Sequence, residues 1–305
     1  MSVLVVGSVA FDTVTTPFGQ ATEVVGGSAN YFSVAASFFT PVRLVAVVGE
    51  DFPESHLEFL RSRGVDLQGL QRVGGKTFRW VGRYGHDFNE ARTVETQLNV
   101  FAAFAPKIPE AYRDSDVVFL ANIDPDLQQD VLGQVKRPAL VALDTMNYWI
   151  AGKPASLRKT LSQVDLLVIN DAETRQLAGE SNLARAARTI QGWGPRILII
   201  KRGEYGALMR NGQDWFALPA LPLEGVQDPT GAGDSFAGGT IGYLASVMRF
   251  DDATIRRAMV YGSVMASFSV EAFSLERLCT LTAPEIRVRY RQFQRLAQFD
   301  GPPEA

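Results

Sequence analysis

The chain has 305 residues, 46% of them hydrophobic and 21% charged, with a net charge of −3. That size fits one large α/β domain or two smaller ones, and the slight acidic excess offers no attraction to nucleic acid or an anionic membrane. A lone cysteine, Cys279, excludes an internal disulfide framework and a CxxC site and fits a reducing cytoplasm, while the opening MSVLVVGSVAFD lacks a basic n-region and no window reaches the ~20 apolar residues of a membrane helix.

In chain order, residues 3–6 read as a buried first strand that Gly7 ends. Asp12 and the β-branched stretch 13–16 follow, then Gly26-Gly27-Ser28 and an apolar helix over 29–39. The run 42–48 predicts a second core strand, and 52–63 an amphipathic helix stopped by Gly64. From 76 to about 100 the texture changes. Phe78, Trp80 and Tyr84 alternate with Arg79, Val81 and Arg83, predicting a half-exposed strand. With 13–25 it makes a small sheet standing off the core.

Four solid apolar runs then recur, at 117–120, 140–143, 166–169 and 197–200. Helical patterns lie between and after them, at 126–132, 154–162, 172–178 and 182–191. Such alternation predicts a mostly parallel sheet with helices on both faces. A hairpin strand over 207–209 follows, and the final third is mostly helical. The GPPEA tail reads as disordered, and there is no internal repeat.

The stretch from Asp228 to Gly239, D-P-T-G-A-G-D-S-F-A-G-G, concentrates the chemistry. Gly231, Ala232 and Gly233 let the backbone turn tightly, and Asp234 opens an apolar helix whose first N–H groups face outward at the positive end of its dipole. That arrangement suits a phosphate with a general base beside it. The plainer reading is a packing glycine pair and an Asp at its favoured helix position. Asn170 and Glu173 follow an apolar strand at the edge where open α/β sheets bind ligands, or else cap the next helix. Lys201, Gly203 and Gly206 follow another strand and also suit a hairpin. Asp12 can accept two hydroxyl hydrogen bonds, and Gly26 and Gly27 permit close backbone approach. Asn122, Asp124 and Asp144 stand at strand ends, as substrate contacts or as turn and cap residues.

Several features are set aside. Gly74-Gly75-Lys76-Thr77 looks like the end of a phosphate-binding loop, but Leu70 stands where the motif needs Gly and a strand follows. Arg287, Arg289, Arg291 and Arg295 read as a solvated helix face. His56 and His86 are too few and too isolated for a metal site or a triad.

With Asp228, Gly231, Gly233 and Asp234 at matching spacing, the string resembles the C-terminal signature of the ribokinase, or PfkB, carbohydrate kinases. The resemblance extends from the first strand and Gly26-Gly27 to that signature. It implies a ribokinase-like three-layer α/β sandwich of one domain over 1–305, with a small β-sheet lid from about 13–25 and 76–101. It implies transfer of the ATP γ-phosphoryl to a hydroxyl, with Asp234 as base and the amides of Gly231, Ala232, Gly233 and Asp234 as anion hole. Asn170 and Glu173 match the family's N-x-x-E motif, with Mg²⁺ held by Glu173 through water. Lys201, Gly203, Gly206 and Thr230 would border the nucleotide. Asp228, with carbonyls near 271–274, would hold an activating K⁺. Asp12, Gly26, Gly27, Asn122 and Asp124 would hold the acceptor. The family's G-G-x-x-x-N Asn falls on Tyr31, with Asn30 one residue early, which leaves the acceptor open. A free sugar comes first and a nucleoside second, with Phe11, Tyr31, Phe78 and Trp80 as rings for a base. Arg79 and Arg83 keep a phosphosugar in view, and a non-catalytic binding protein on this fold is the other class. The expected partners are small molecules, and a homodimer would form through the lid.

Overall fold

Strands without a polar face must be covered on both sides, and they form the middle of a nine-stranded sheet. The structure, a computed structural model, describes residues 2–85, 88 and 91–298; His86 and the GPPEA tail lie outside the described residues. The sheet order is Asp214–Leu218, Ala207–Asn211, Ile197–Lys201, Leu166–Asn170, Leu140–Asp144, Val117–Leu120, Val3–Val6, Val42–Gly49, Val65–Val73. From Ile197–Lys201 to Val65–Val73 every pairing is parallel, and the two strands at the other edge are antiparallel. Side chains alternate between two cores. Val3 and Val5 face helices Ser28–Ala36, Ala232–Val247 and Asp252–Ser269, while Leu4 and Val6 join Val131, Leu157, Leu161 and Ile190 on the other side. Among the described residues no helix is long and apolar enough to cross a membrane.

Two edge strands, Val65–Val73 and Asp214–Leu218, are absent from the sequence reading, for one reason. Each carries exposed polar residues and lacks the apolar run that marks a doubly covered strand. The helix expected over 29–39 stops at Ala36, and Asn147–Gly152 is a short helix absent from the sequence reading.

Three helices are packed unusually close, and this fixes the rest. Ala232–Val247 is buried along most of its length. A methyl group at Gly238 would press on Ala35, one at Gly242 on Ala36, and one at Gly239 on Met265 and the Tyr261 carbonyl. Only bare backbone lets this helix lie between its neighbours.

The second sheet runs Gly19–Gly26, Ala10–Thr16, Phe78–Tyr84, Ala91–Gln97, and so begins earlier than residue 13. Ala10–Thr16 pairs parallel to Phe78–Tyr84 with Asp12 opposite Trp80. This sheet is tied at two points to the loop before Ala232–Val247 and at a third to the loop after Asp252–Ser269. Thr16 Oγ1 donates to the Gln227 carbonyl (2.9 Å), Ser274 Oγ donates to the Val25 carbonyl (2.5 Å), and Thr230 Oγ1 bonds the Tyr84 hydroxyl (3.4 Å).

The features set aside resolve as local structure, with one correction. Thr77 is buried, donating from its amide and hydroxyl to Asp51 Oδ1 (2.8 and 2.6 Å), and a strand follows. Arg289, however, is not a solvated charge. It pairs with Glu271 at 2.7 Å, and its guanidinium lies 3.6 Å over the Phe268 ring.

Phe32 and Phe119 stack with centroids 4.2 Å apart, both fully buried between the sheet and the packed helices. Phe32→Ala should cost about 3–5 kcal/mol, read as a lower urea midpoint at unchanged m-value; a loss below about 1 kcal/mol would contradict this packing.

Candidate active site

At the carboxyl edge of the large sheet, three neighbouring strands deliver charged side chains to one place, where open sheets bind ligands. Leu140–Asp144 ends in Asp144, Leu166–Asn170 leads to Glu173, and Ile197–Lys201 ends in Lys201. Lys201 Nζ lies 3.2 Å from Asp144 Oδ2. Helix Ala232–Val247 brings Asp234 against them from above. Its N-cap, Gly231, is left-handed at φ 73°, and any side chain there would overlap the Tyr31 ring. Ala232 N donates to the Pro229 carbonyl (3.1 Å) and Ser235 N to the Gly231 carbonyl (2.8 Å). Gly233 and Asp234 are in the first turn, where N–H groups have no intrahelical acceptor. A methyl group at Gly233 would stand 2.8 Å from Lys201 Nζ, so an ammonium and open amides share one spot.

Burial is the main force on the Asp234 carboxyl, pushing its pKa to about 7; Asp144 and Glu173 push the same way and Lys201 opposes them. Glu173 also rises to about 7, by burial, against Lys201. Burial raises Asp144 despite its lysine. Burial alone would lower the Lys201 ammonium, yet Asp144, Glu173 and Asp234 around it hold its pKa above the usual lysine value. Three carboxyls thus surround one ammonium. Their surplus of negative charge suits a hydrated divalent cation arriving with phosphates. Among the described residues no group of three or more His, Cys, Asp or Glu forms a metal cage of its own.

Near Asp234 and Asp228, from the small sheet, Asp12 is buried against Gly26, where a methyl group would overlap its carboxylate, and accepts from the Gly27 amide. Burial again lifts it to about 7, with Asp228 and Asp234 adding to the shift. Tyr31 is buried with its hydroxyl unpartnered. Asn30 turns away, donating from Nδ2 to the Gly26 carbonyl (3.2 Å) and accepting from His56 Nε2 at Oδ1 (2.9 Å). Burial lowers His56 to about 4, so it stays neutral at physiological pH and acts as a brace for the Gly26 turn.

Several residues picked out in the sequence carry local duties. Asn170 and Glu173 form a reciprocal capping box: Asn170 Oδ1 accepts from Glu173 N (2.7 Å) and Glu173 Oε2 from Asn170 N (3.0 Å). The capping reading of Glu173 holds, and its carboxylate also meets the Asn147 amide. Gly203 (φ 54°) and Gly206 (φ 85°) turn the chain between strands Ile197–Lys201 and Ala207–Asn211. Asp228 Oδ1 accepts from Thr230 N (2.9 Å) and Oδ2 from Ser274 N (3.3 Å), holding both loops together. Asn122 has a buried, unpartnered Oδ1. Asp124 takes the cap reading: it caps helix Pro125–Leu132 through Asp126 N (3.0 Å) and pairs with Lys153 at 2.7 Å. Tyr84, absent from the sequence-derived site, reaches Thr230 because it shares the strand face of Trp80. Asp144 shows in the sequence only as an acid at a strand end.

A model of the pfkB family carbohydrate kinases matches residues 2–280. The chain is similar to a cytidine kinase from Thermococcus kodakarensis, 33% identical over 254 residues, 82% of this chain and 89% of that one. It is also similar to a nucleoside kinase from Methanothermobacter thermautotrophicus, 25% identical over 250 residues, 81% of this chain and 78% of the other. Among solved structures, a putative ribokinase II from E. coli superposes with TM-score 0.79 over 95% of this chain and 99% of its own, at 19% identity, and so has the same fold.

The three raised carboxyls have a consequence for stability. Asp12, Glu173 and Asp234 keep protons up to about 7 in the folded protein, while unfolded carboxyls lose theirs near roughly 4. Between those values the folded state binds more protons, so their favourable contribution is complete below about 4 and is lost as pH rises toward 7. The ligand-free protein should therefore melt at a lower temperature at pH 8 than at pH 5.5, and Asp234→Asn should flatten that slope. A melting temperature that climbs over this range would contradict the burial of these groups.

Proposed function

The chain belongs to the PfkB family of carbohydrate kinases, and from that premise we propose that it phosphorylates a hydroxyl of a nucleoside at the cleft between Asp12 and Asp234. It is an ATP-dependent phosphotransferase with an alcohol acceptor, a sugar or nucleoside kinase. The observation that carries the site assignment is the meeting of a half-buried carboxyl, open first-turn amides and an ammonium at Gly231–Asp234.

Asp234 takes the proton of the acceptor hydroxyl as its oxygen bonds to the γ-phosphorus. The bond from that phosphorus to the bridging oxygen breaks, and ADP leaves with the electron pair. The Gly233 and Asp234 amides, at the positive end of the helix, face the charge on the moving group. Asn170, Glu173, Lys201, Gly203, Gly206 and Thr230 border the nucleotide. Mg²⁺, when bound, neutralises phosphate charge, and Glu173 would hold it through water. Asp12 accepts from two sugar hydroxyls, with Gly26 and Gly27 giving the ring room. A pKa near 7 is apt for a base working at neutral pH. The small sheet serves as a lid on a single kinase domain, excluding water as a competing acceptor.

Two observations move the acceptor from a free sugar toward a nucleoside. The named relatives include a cytidine kinase, and the strand register puts Trp80 beside Asp12 on one sheet face, half exposed and able to stack a base. Phe11 packs on Phe52, Phe78 stacks on Phe101 and Tyr31 lies under Gly231, while Trp80 lies over Gly82 and donates Nε1 to Thr93 Oγ1 (3.2 Å), a setting that fixes its ring yet keeps it partly exposed. A phosphosugar loses support because Arg79 is already paired with Glu23 and Asp51, at 2.7 and 2.9 Å.

ADP release over nucleosides, pentoses, hexoses and phosphosugars tests both levels. Asp234→Asn should lower kcat by about 10²–10⁴-fold while ATP still binds; undiminished turnover would remove Asp234 from its role. Trp80→Ala should raise KM for a nucleoside about tenfold or more, the scale of one lost base stack, and leave ribose unaffected. Preference for free ribose in the wild type would restore the sugar reading. Asp228 and Thr230 carry our proposal of K⁺ activation, and equal rates in K⁺, Na⁺ and Tris would end it.

A further inference from the structure

Lys201 lies where a nucleotide contact alone would not need it. Strand Leu166–Asn170 separates Ile197–Lys201 from Leu140–Asp144. Lys201 therefore leans across a whole intervening strand to bring Nζ within 3.2 Å of Asp144 Oδ2. Asp144 cannot follow it. The acid is buried, its Oδ1 accepts from Thr145 N (2.7 Å), and Gln128 Nε2 donates to its main-chain carbonyl (3.2 Å). One oxygen is thus anchored to its own backbone and the other holds the lysine. An ammonium has three donors, and Asp144 takes one. Two donors remain, and Nζ itself lies over Gly233, in the turn whose amides are open.

Resting on the kinase reading, we propose that Lys201 is a catalytic residue of the transfer step, donating to the phosphoryl group in flight, and that Asp144 is the residue that positions it. In the ground state the γ-phosphoryl is still bonded to the bridging oxygen. As that bond breaks and the acceptor oxygen closes in, the group moves toward Asp234 and onto the ammonium and the Gly233 amide together. The lysine contact tightens along the reaction, so it belongs in kcat more than in ATP affinity. A simple buried ion pair is the competing account. It predicts lost stability and no selective kinetic effect.

The test uses the full chain and the acceptor with the highest kcat/KM in the panel above. Lys201→Met should lower kcat by about 10²–10³-fold, the range for losing one preorganised donor, with KM for ATP nearly unchanged. Calorimetry should show ADP binding as in the wild type, while ADP with fluoroaluminate and acceptor, which imitates the moving phosphoryl, loses affinity by a similar factor. Asp144→Asn should lower kcat by about 10-fold or more, as loss of an orienting partner does. Asp144→Asn/Lys201→Met, which removes both charges and leaves no unpaired one, should be no slower than Lys201→Met alone, and its kinetics decide if the single variant fails to fold.

If Lys201→Met keeps kcat and weakens ATP and ADP together, the lysine is a ground-state contact and the proposal falls while the kinase reading stands. If only the melting temperature moves, the ion pair is structural and the proposal also falls. A folded wild type that releases no ADP with any acceptor brings down both.

Discussion

Everything at the cleft depends on a helix that cannot shift. Ala232–Val247 is gripped by two others through glycine faces too tight for a methyl group. Its first residue is set by a left-handed Gly231 lying flat on the Tyr31 ring. A carboxylate one turn into such a helix has its position fixed by backbone packing. Its rotamer is not asked to hold a geometry on its own, and preorganisation of that kind is how a site stabilises charge without reorganising at the moment of reaction.

Charge at the site is arranged with equal economy. Burial works against the ionised form of every acid in the cleft, and one lysine partly compensates three of them. The ligand-free protein thus holds acids it would fold more comfortably without, which is how functional sites commonly differ from structural ion pairs. Exposed pairs elsewhere, such as Arg61 with Glu54, place no such load on the fold.

The parallel core was legible because doubly covered strands leave unbroken apolar runs, and the Asp228–Asp234 string because its residues are contiguous. What remained hidden was assembled by distance in space. Asp144 and Lys201 stand 57 residues apart and meet only after the sheet orders their strands. Edge strands Val65–Val73 and Asp214–Leu218 hide because they face water. Arg289 shows the opposite error: an arginine on a polar helix found a partner, Glu271, that no pattern in the chain announces. Asn30 was readable in one respect only. Its helical offset said that it would point away from the Tyr31 position, but not that His56 would hold it there.

The three hydrogen bonds that join the small sheet to residues 227, 230 and 274 give the cover and the catalytic turn a common fate. Were that sheet to swing outward, the Gln227 carbonyl and the Thr230 hydroxyl would lose their outer partners just before Gly231, and Ser274 would part from Val25 on the far side. An open molecule would then have a slack cradle, and a shut one a taut cradle. On the proposed kinase reading, a nucleotide bound beside an open small sheet would meet a cradle less ready to hand its phosphoryl to water.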